Sequence, residues 1–312
     1  MNSLQTIYSI LPVLFLVGMG ILLRKTNLIQ ESTIRDFQKL VVSITLPLLL
    51  FKAFATMVFE TRYLLIVITV FFACTVVMAV STKLRSFPGF SSDYSPFLMA
   101  GFEAGMLGYA IFGTMYDENS IQNFAVIDLG QVLFVFFVLV TGLEVFQGRQ
   151  FNLNQTIVNF VKSPVIIGIL AGVVFNLFGL YQVLKEIDLT SSILSTAEIL
   201  AGLTTPLVAL VIGYGLKFQK GRLALPLQTV TLRLIVWVSL AIIFNHFVVS
   251  KIMGLDRVFQ AAVMLMAILP APFVVPFYLR ADHEQEREYI LNTLSLGTVA
   301  ALLGCVIIGL IY

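Results

Sequence analysis

The sequence predicts an all-α integral membrane protein of ten transmembrane helices, arranged as an inverted repeat of five plus five, with the fourth and ninth helices broken. Three observations lead there. Of 312 residues, 59% are hydrophobic and only 12% charged, and the mean hydropathy is +0.97, so there is too little polar surface to cover a water-soluble globule and lipid must supply the outer surface. The chain also carries about ten apolar runs of the roughly 20 residues that a bilayer core requires. Helix-breaking residues recur in the same order in its two halves.

The runs are expected at 4–23, 33–58, 62–82, 94–115, 121–147, 156–181, 190–218, 223–249, 257–280 and 288–311. The first has no basic stretch before it and no small-residue cleavage site after it, so it reads as a retained helix, and neither end is expected to carry a soluble domain. Polar breaks separate the runs: Arg24-Lys25-Thr26-Asn27, Lys83 to Ser95 with Pro88-Gly89, Asp117-Glu118-Asn119, Gly148-Arg149-Gln150, Lys217 to Arg222, and Arg280 to Glu288. With the loops numbered in order, the odd ones hold Arg24, Lys25, Arg35, Lys39, Lys83, Arg85, Arg149, Lys162, Lys217, Lys220, Arg222, Arg280 and Arg287. The even ones hold Arg62, Lys185, Lys251 and Arg257. By the positive-inside rule this bias puts the odd loops in the cytoplasm and both termini outside the cytoplasmic membrane.

The repeat aligns residues 1–150 with 151–312. Pro12 and Gly20 match Pro164 and Gly172; Thr45-Leu46-Pro47-Leu48 matches Thr204-Thr205-Pro206-Leu207; Gly130 and Gly142 match Gly297 and Gly309. Five helices per half is an odd number, so the second copy must enter from the opposite side. Met99-Ala100 and Met266-Ala267 bring the fourth and ninth runs into register. The fourth contains Gly101, Glu103, Gly105 and Gly108, and the ninth contains Pro270-Ala271-Pro272 and Pro276. Three prolines within seven residues cannot form a continuous helix, because each removes an amide donor and crowds the carbonyl one turn back.

Irregular backbone at membrane depth is tolerated only where it is buried in protein or lines a cavity. Half-helices starting there would turn amide groups inward, a seat for a carboxylate. The plainer alternative is that these residues only permit a kink or a close helix crossing. Glu103 is the most central charge, able to bind a cation or carry a coupled proton, or else to remain protonated against freed backbone. Asp128 and Gln131 lie one turn apart as a binding or a structural pair. Lys52, five residues after Pro47, either attracts an anion or reaches the outer interface. Arg233 lies deep in the eighth helix and needs an acid or a carbonyl as partner; Glu198, Glu144 and His246 sit nearer helix ends. The substrate-binding candidates are therefore Glu103, Gly105, Gly108, Pro270, Ala271, Pro272, Pro276, Pro47 and Lys52, with Glu103, Asp128 and Gln131 for ion or proton coupling.

Several functions are disfavoured. The net charge of +2 is small and its basic residues are scattered, so nucleic acid is not a partner. Cys74 and Cys305 lie in apolar runs without metal-ligand spacing, and two histidines, His246 and His283, make no metal set. No phosphate-cradling glycine loop with its lysine occurs, and no catalytic dyad is evident, so neither ATP use, a cofactor nor an enzyme is expected.

These residues resemble the auxin efflux carrier family, which includes plant auxin exporters and bacterial malonate or malate permeases. The likeness spans essentially the whole chain: Leu46-Pro47-Leu48-Leu49-Leu50-Phe51 in the second helix, Gly105-Met106-Leu107-Gly108 in the fourth, and Leu269-Pro270 with Val275-Pro276-Phe277 in the ninth. Glu103 stands where the family commonly has Asn, and Ala110 where it has Pro. The resemblance implies a sodium/proton antiporter-like fold in which the fourth and ninth helices cross near the substrate, with elevator-like alternating access. The expected function is transport of a small organic anion, auxin-like or a dicarboxylate, either as a uniporter driven by the membrane potential or as a secondary carrier coupled to protons through Glu103. A sodium-coupled symporter or cation/proton antiporter is the alternative, and a homodimer is expected by analogy with other carriers.

Overall fold

In lipid every peptide group must find its partner within the protein, and among the described residues all regular structure is helical, with no strand. The computed structural model describes residues 3–84, 87, 90–116, 120–219, 223–279 and 284–312. Arg85, Pro88-Gly89, Asp117-Glu118-Asn119, Lys220, Arg222, Arg280 and His283, all used in the sequence reading, lie outside the described residues. The helices are α1 (Ser3–Lys25), α2 (Glu31–Thr56), α3 (Tyr63–Lys83), α4 (Ser95–Met99), α5 (residues 104–115), α6 (Ile121–Phe146), α7 (Leu153–Lys162), α8 (Pro164–Leu177), α9 (Leu180–Glu186), α10 (Asp188–Gly215), α11 (Ala224–Ile252), α12 (Arg257–Ile268) and α13 (Glu284–Ile311), with a 3₁₀ turn at Val275–Tyr278 after α12. Among the described residues seven helical spans are long and apolar enough to cross a bilayer, or eight if the bent pair α7–α8 counts as one.

One expected run is corrected by the geometry. The run 156–181 is not one helix: α7 and α8 meet at 66°, because Ser163 precedes Pro164 and is held extended (φ −63, ψ 126), out of the helical region that a following proline disfavours. The short helix α9, entered through Gly179 in the left-handed region, was not expected as a separate element. Pro47, by contrast, does not break α2. The preceding turn, Val41–Thr45, widens so that Leu46 N–H reaches the Val41 carbonyl, and the helix continues past the proline.

Burial runs opposite to hydropathy in one span. Within Tyr63–Lys83 the most apolar window, mean hydropathy 2.7, is only 28% buried, whereas Ser95–Met115, at 1.3, is 83% buried. The least apolar of the seven spans is therefore enclosed by the others. Its enclosure is completed by helices that touch backbone to backbone. A Cβ on Gly20 would strike the Leu210 carbonyl, and one on Gly172 would strike the Phe51 carbonyl. Thus α1 lies against α10, and α8 against α2.

Candidate functional site

The site is built where two chain breaks meet. Helix α4 ends at Met99: Ala100 is extended, and Gly101 takes φ +70, which a side chain would strain. Backbone hydrogen bonding resumes when Gly108 N–H reaches the Glu103 carbonyl at 3.1 Å. On the other side α12 stops at Ile268, Leu269 is extended (φ −62, ψ 148), and Pro270 and Pro272 offer no N–H with which to continue. The breaks touch directly, Glu103 N–H donating to the Pro270 carbonyl at 2.9 Å.

Such a junction leaves helix ends in the protein interior, and two charged side chains satisfy them. Arg233, 2% exposed, donates from Nη1 to the Leu98 carbonyl at 3.0 Å and from Nε and Nη2 to that of Leu269 at 3.3 and 3.2 Å. Its Nη2 also donates to the Gly101 carbonyl and, at 3.4 Å, to that of Pro270. One turn along α11, Trp237 Nε1 donates to the Met99 carbonyl at 2.8 Å. The guanidinium therefore sits on the negative ends of α4 and α12 together, where a cation is favoured. It also lies 5.1 Å over the Phe102 ring. Glu103 does the converse at the amide-rich side: Oε1 accepts from Met106 N–H at 3.0 Å and Oε2 from Phe273 N–H at 2.6 Å. The amide groups expected to stand ready for a ligand's carboxylate are thus already held by the protein's own.

A cavity of about 480 Å³ leads to this junction. Its lining on α6 runs from Asp128 to Glu144, about 24 Å at 1.5 Å per residue, toward the loop at 147–152. Most of the wall is apolar or aromatic, including Leu46, Leu50, Phe102, Met106, Phe136 and Phe273. The deep polar groups are Glu103, Asp128, Gln131 and Tyr109; nearer the mouth are Glu144, Thr156 and Asn159. Tyr109 donates its hydroxyl proton to Asp128 Oδ2 at 2.9 Å. Gln131 Nε2 donates to the Phe102 carbonyl at 2.9 Å and to Asp128 Oδ1 at 3.2 Å. Among the described residues, the buried Gln131 Oε1 has no hydrogen-bond partner. Among the described residues lining the cavity, three are carboxylic acids and none is Lys or Arg.

Of the residues singled out in the sequence, Glu103, Gly105, Pro272, Asp128 and Gln131 line this cavity. Pro270 and Ala271 are buried in the junction behind it. Gly108 does not line it; a Cβ there would strike the Phe124 ring and Leu269. Pro276 lines a second cavity of about 200 Å³ with Ser295 and Thr298, which shares Met106 and Phe273 with the first. Pro47 packs its carbonyl against Gly168. Lys52 is not a lining residue and lies 3.3 Å from Glu198, which also accepts from the Tyr181 hydroxyl at 3.0 Å. The capping pair Arg233 and Trp237 was not recognised as such in the sequence. Its signal was a stripe at i, i+4 and i+8, Thr229-Arg233-Trp237, of side chains able to donate hydrogen bonds along one face of α11.

A family model described as membrane transport protein matches residues 5–308 of the chain. No curated protein matches it.

Proposed function

Because the chain belongs to the membrane transport protein family, the auxin efflux carriers, we infer that it is a multi-pass secondary transporter that carries a small organic acid across the cytoplasmic membrane by alternating access. Our reading is that the anion moves with protons. The observation that carries it is the cavity wall: Glu103, Asp128 and Glu144 with no described basic residue. An anion entering beside ionised carboxylates in a low-dielectric space is repelled, whereas neutralising a carboxylate removes that barrier. Glu103, at the junction itself, is the proton carrier we propose, with Asp128 beside it.

We propose ten spans, counting α4–α5, α7–α8 and α12 with its 3₁₀ turn as one each, and an inverted repeat of residues 1–150 and 151–312. Matched residues making matched contacts support this. The alignment that pairs Gly20 with Gly172 and Pro47 with Pro206 also pairs Leu210 with Phe51, and each glycine abuts the other half's carbonyl. Likewise, the register of Met99-Ala100 with Met266-Ala267 pairs Glu103 with Pro270, which are hydrogen-bonded. Under the charge bias of the loops, the cavity mouth faces the cytoplasm and both termini face outward, and we take the transport movement to be elevator-like.

The test is uptake of labelled malate, malonate and indole acetate into proteoliposomes under imposed pH or sodium gradients, for wild type and Glu103→Gln. Stimulation by a pH gradient in the wild type that is lost in the variant is expected. The sodium-coupled alternative has one observation in its favour, the unpartnered Gln131 Oε1 beside Asp128, and predicts stimulation by sodium instead. If the folded protein moves no anion under any gradient, the organic-acid reading fails.

A further inference from the structure

We propose that Glu103 is a tethered occupant of a carboxylate seat: its side chain holds the Met106 and Phe273 amides that an anionic substrate takes over once Glu103 is protonated and turns away. The inference rests on the transport reading above and specifies how its site is gated.

Four observations carry it. The seat is complete, with donors 3.0 and 2.6 Å from the two oxygens of one carboxylate, contributed by both broken segments. Its occupant is carried by the cavity wall rather than by packed core, since Glu103, Met106 and Phe273 all line the cavity. The ground beside it is clear: Gly105 also lines the cavity, and a Cβ there would meet only Leu46 at 3.5 Å and Glu103 Oε1 at 3.9 Å. Finally, an acceptor is waiting. Gln131, 4% exposed, lines the same cavity and bonds the carbonyl of Phe102, next to Glu103, yet its Oε1 has no partner among the described residues. A buried acceptor without a donor is costly unless something fills it. A protonated Glu103 supplies the donor that an ionised one cannot.

The charged and titratable groups facing Glu103 set the direction of the effect. Asp128 on α6 and Tyr109 on α5 share its end of the cavity, and Arg233 on α11 caps the opposite face of the junction. The lining part of α2, residues 42–50, and the segment 269–274 bring no charge. With Asp128 as the near neighbour, a second anion in the seat is tolerated only when a proton accompanies it. The exchange is balanced: one proton from solvent converts Glu103 carboxylate to carboxylic acid, its two amide hydrogen bonds break, and the substrate carboxylate forms the same two.

The test uses acetate, whose atoms replace those removed by Glu103→Ala, and reads the apparent melting temperature of the purified full chain in detergent. Sodium chloride at equal concentration and neutral acetamide are the controls. At pH 7.5 acetate is expected to raise the melting temperature of Glu103→Ala saturably, by roughly 2–5 °C, and to leave wild type unchanged. Wild type is expected to become acetate-responsive at pH 5.5, while Glu103→Gln, which cannot refill the seat with two acceptors, responds at both pH values. The wild-type and Gln arms decide the matter if the Ala variant does not fold. Equal acetate responses in wild type and variants at pH 7.5, or no response in any of them at either pH, overturn the proposal. An acetate response without any transport would leave the seat standing and remove the transport reading; transport without an acetate response would do the reverse.

Discussion

Replacing Arg233 by Met keeps most of the side-chain volume and removes the guanidinium that joins the two breaks. Four carbonyls, those of Leu98, Gly101, Leu269 and Pro270, lose a donor. The Pro270 carbonyl keeps the Glu103 N–H; a buried acceptor left unpaired costs about 1–3 kcal/mol, and at the lower figure the other three total about 3 kcal/mol. The variant also recovers part of the desolvation penalty of a buried cation, but the negative ends of α4 and α12 are then left facing each other, so a net loss of about 3 kcal/mol is expected. At about 2 °C per kcal/mol for a chain of this size, the apparent melting temperature in detergent should fall by roughly 6 °C. Arg233→Lys should fall between the two, because an ammonium lacks the planar fork that spans several carbonyls. Trp237→Phe, which loses one bond to Met99, should fall by only about 2 °C. A melting temperature for Arg233→Met within about 1 °C of wild type would show that the carbonyls find other donors, and would remove Arg233 as the clasp of the junction.

Other substitutions probe separate parts of the same account. Gly213→Ala, whose Cβ would strike the Val17 carbonyl, should reduce the yield of monodisperse protein sharply, whereas Gly18→Ala, with no neighbour within 4 Å, should match wild type in the same size-exclusion assay. Lys52→Ala removes a partly exposed ion pair with Glu198 and should shift the melting temperature by less than about 2 °C, as surface pairs contribute about 0–1 kcal/mol. Asp128→Asn keeps one acceptor for Tyr109 and Gln131; fold and melting temperature should hold while pH-driven uptake falls, and unchanged uptake would take Asp128 out of the coupling path.

Both breaks were legible because glycine and proline act locally: Gly101 with its positive φ and the prolines from Pro270 onward decide where helices stop, whatever packs around them. That a carboxylate would sit at the first break was legible too, since Glu103 is a lone charge in an apolar run. Its partners were not, since the Phe273 amide is 170 residues away and an amide has no residue type to recognise. Lys52 misled for a related reason: a pattern cannot say which of several acids a lysine will meet, and here it meets Glu198 on α10. The kink at Pro164 was readable from the proline rule, but the long apolar window around it masked the bend. Pro47 carried the opposite error, a real helix breaker whose effect one widened turn absorbs.

The distance in sequence between Glu103 and Phe273 also orders events during synthesis. At about 5–20 residues per second, the 170 residues between them take roughly 10–30 s to make. Throughout that interval Glu103 is already in the nascent chain while the second amide that will hold it does not yet exist, and Arg233, 135 residues after Leu98, is also late. The first broken segment therefore waits with its carbonyls and its carboxylate served by water or the insertion machinery. Bundle closure comes only when α12 enters, so truncations ending before residue 257 should be the forms that cellular quality control removes fastest.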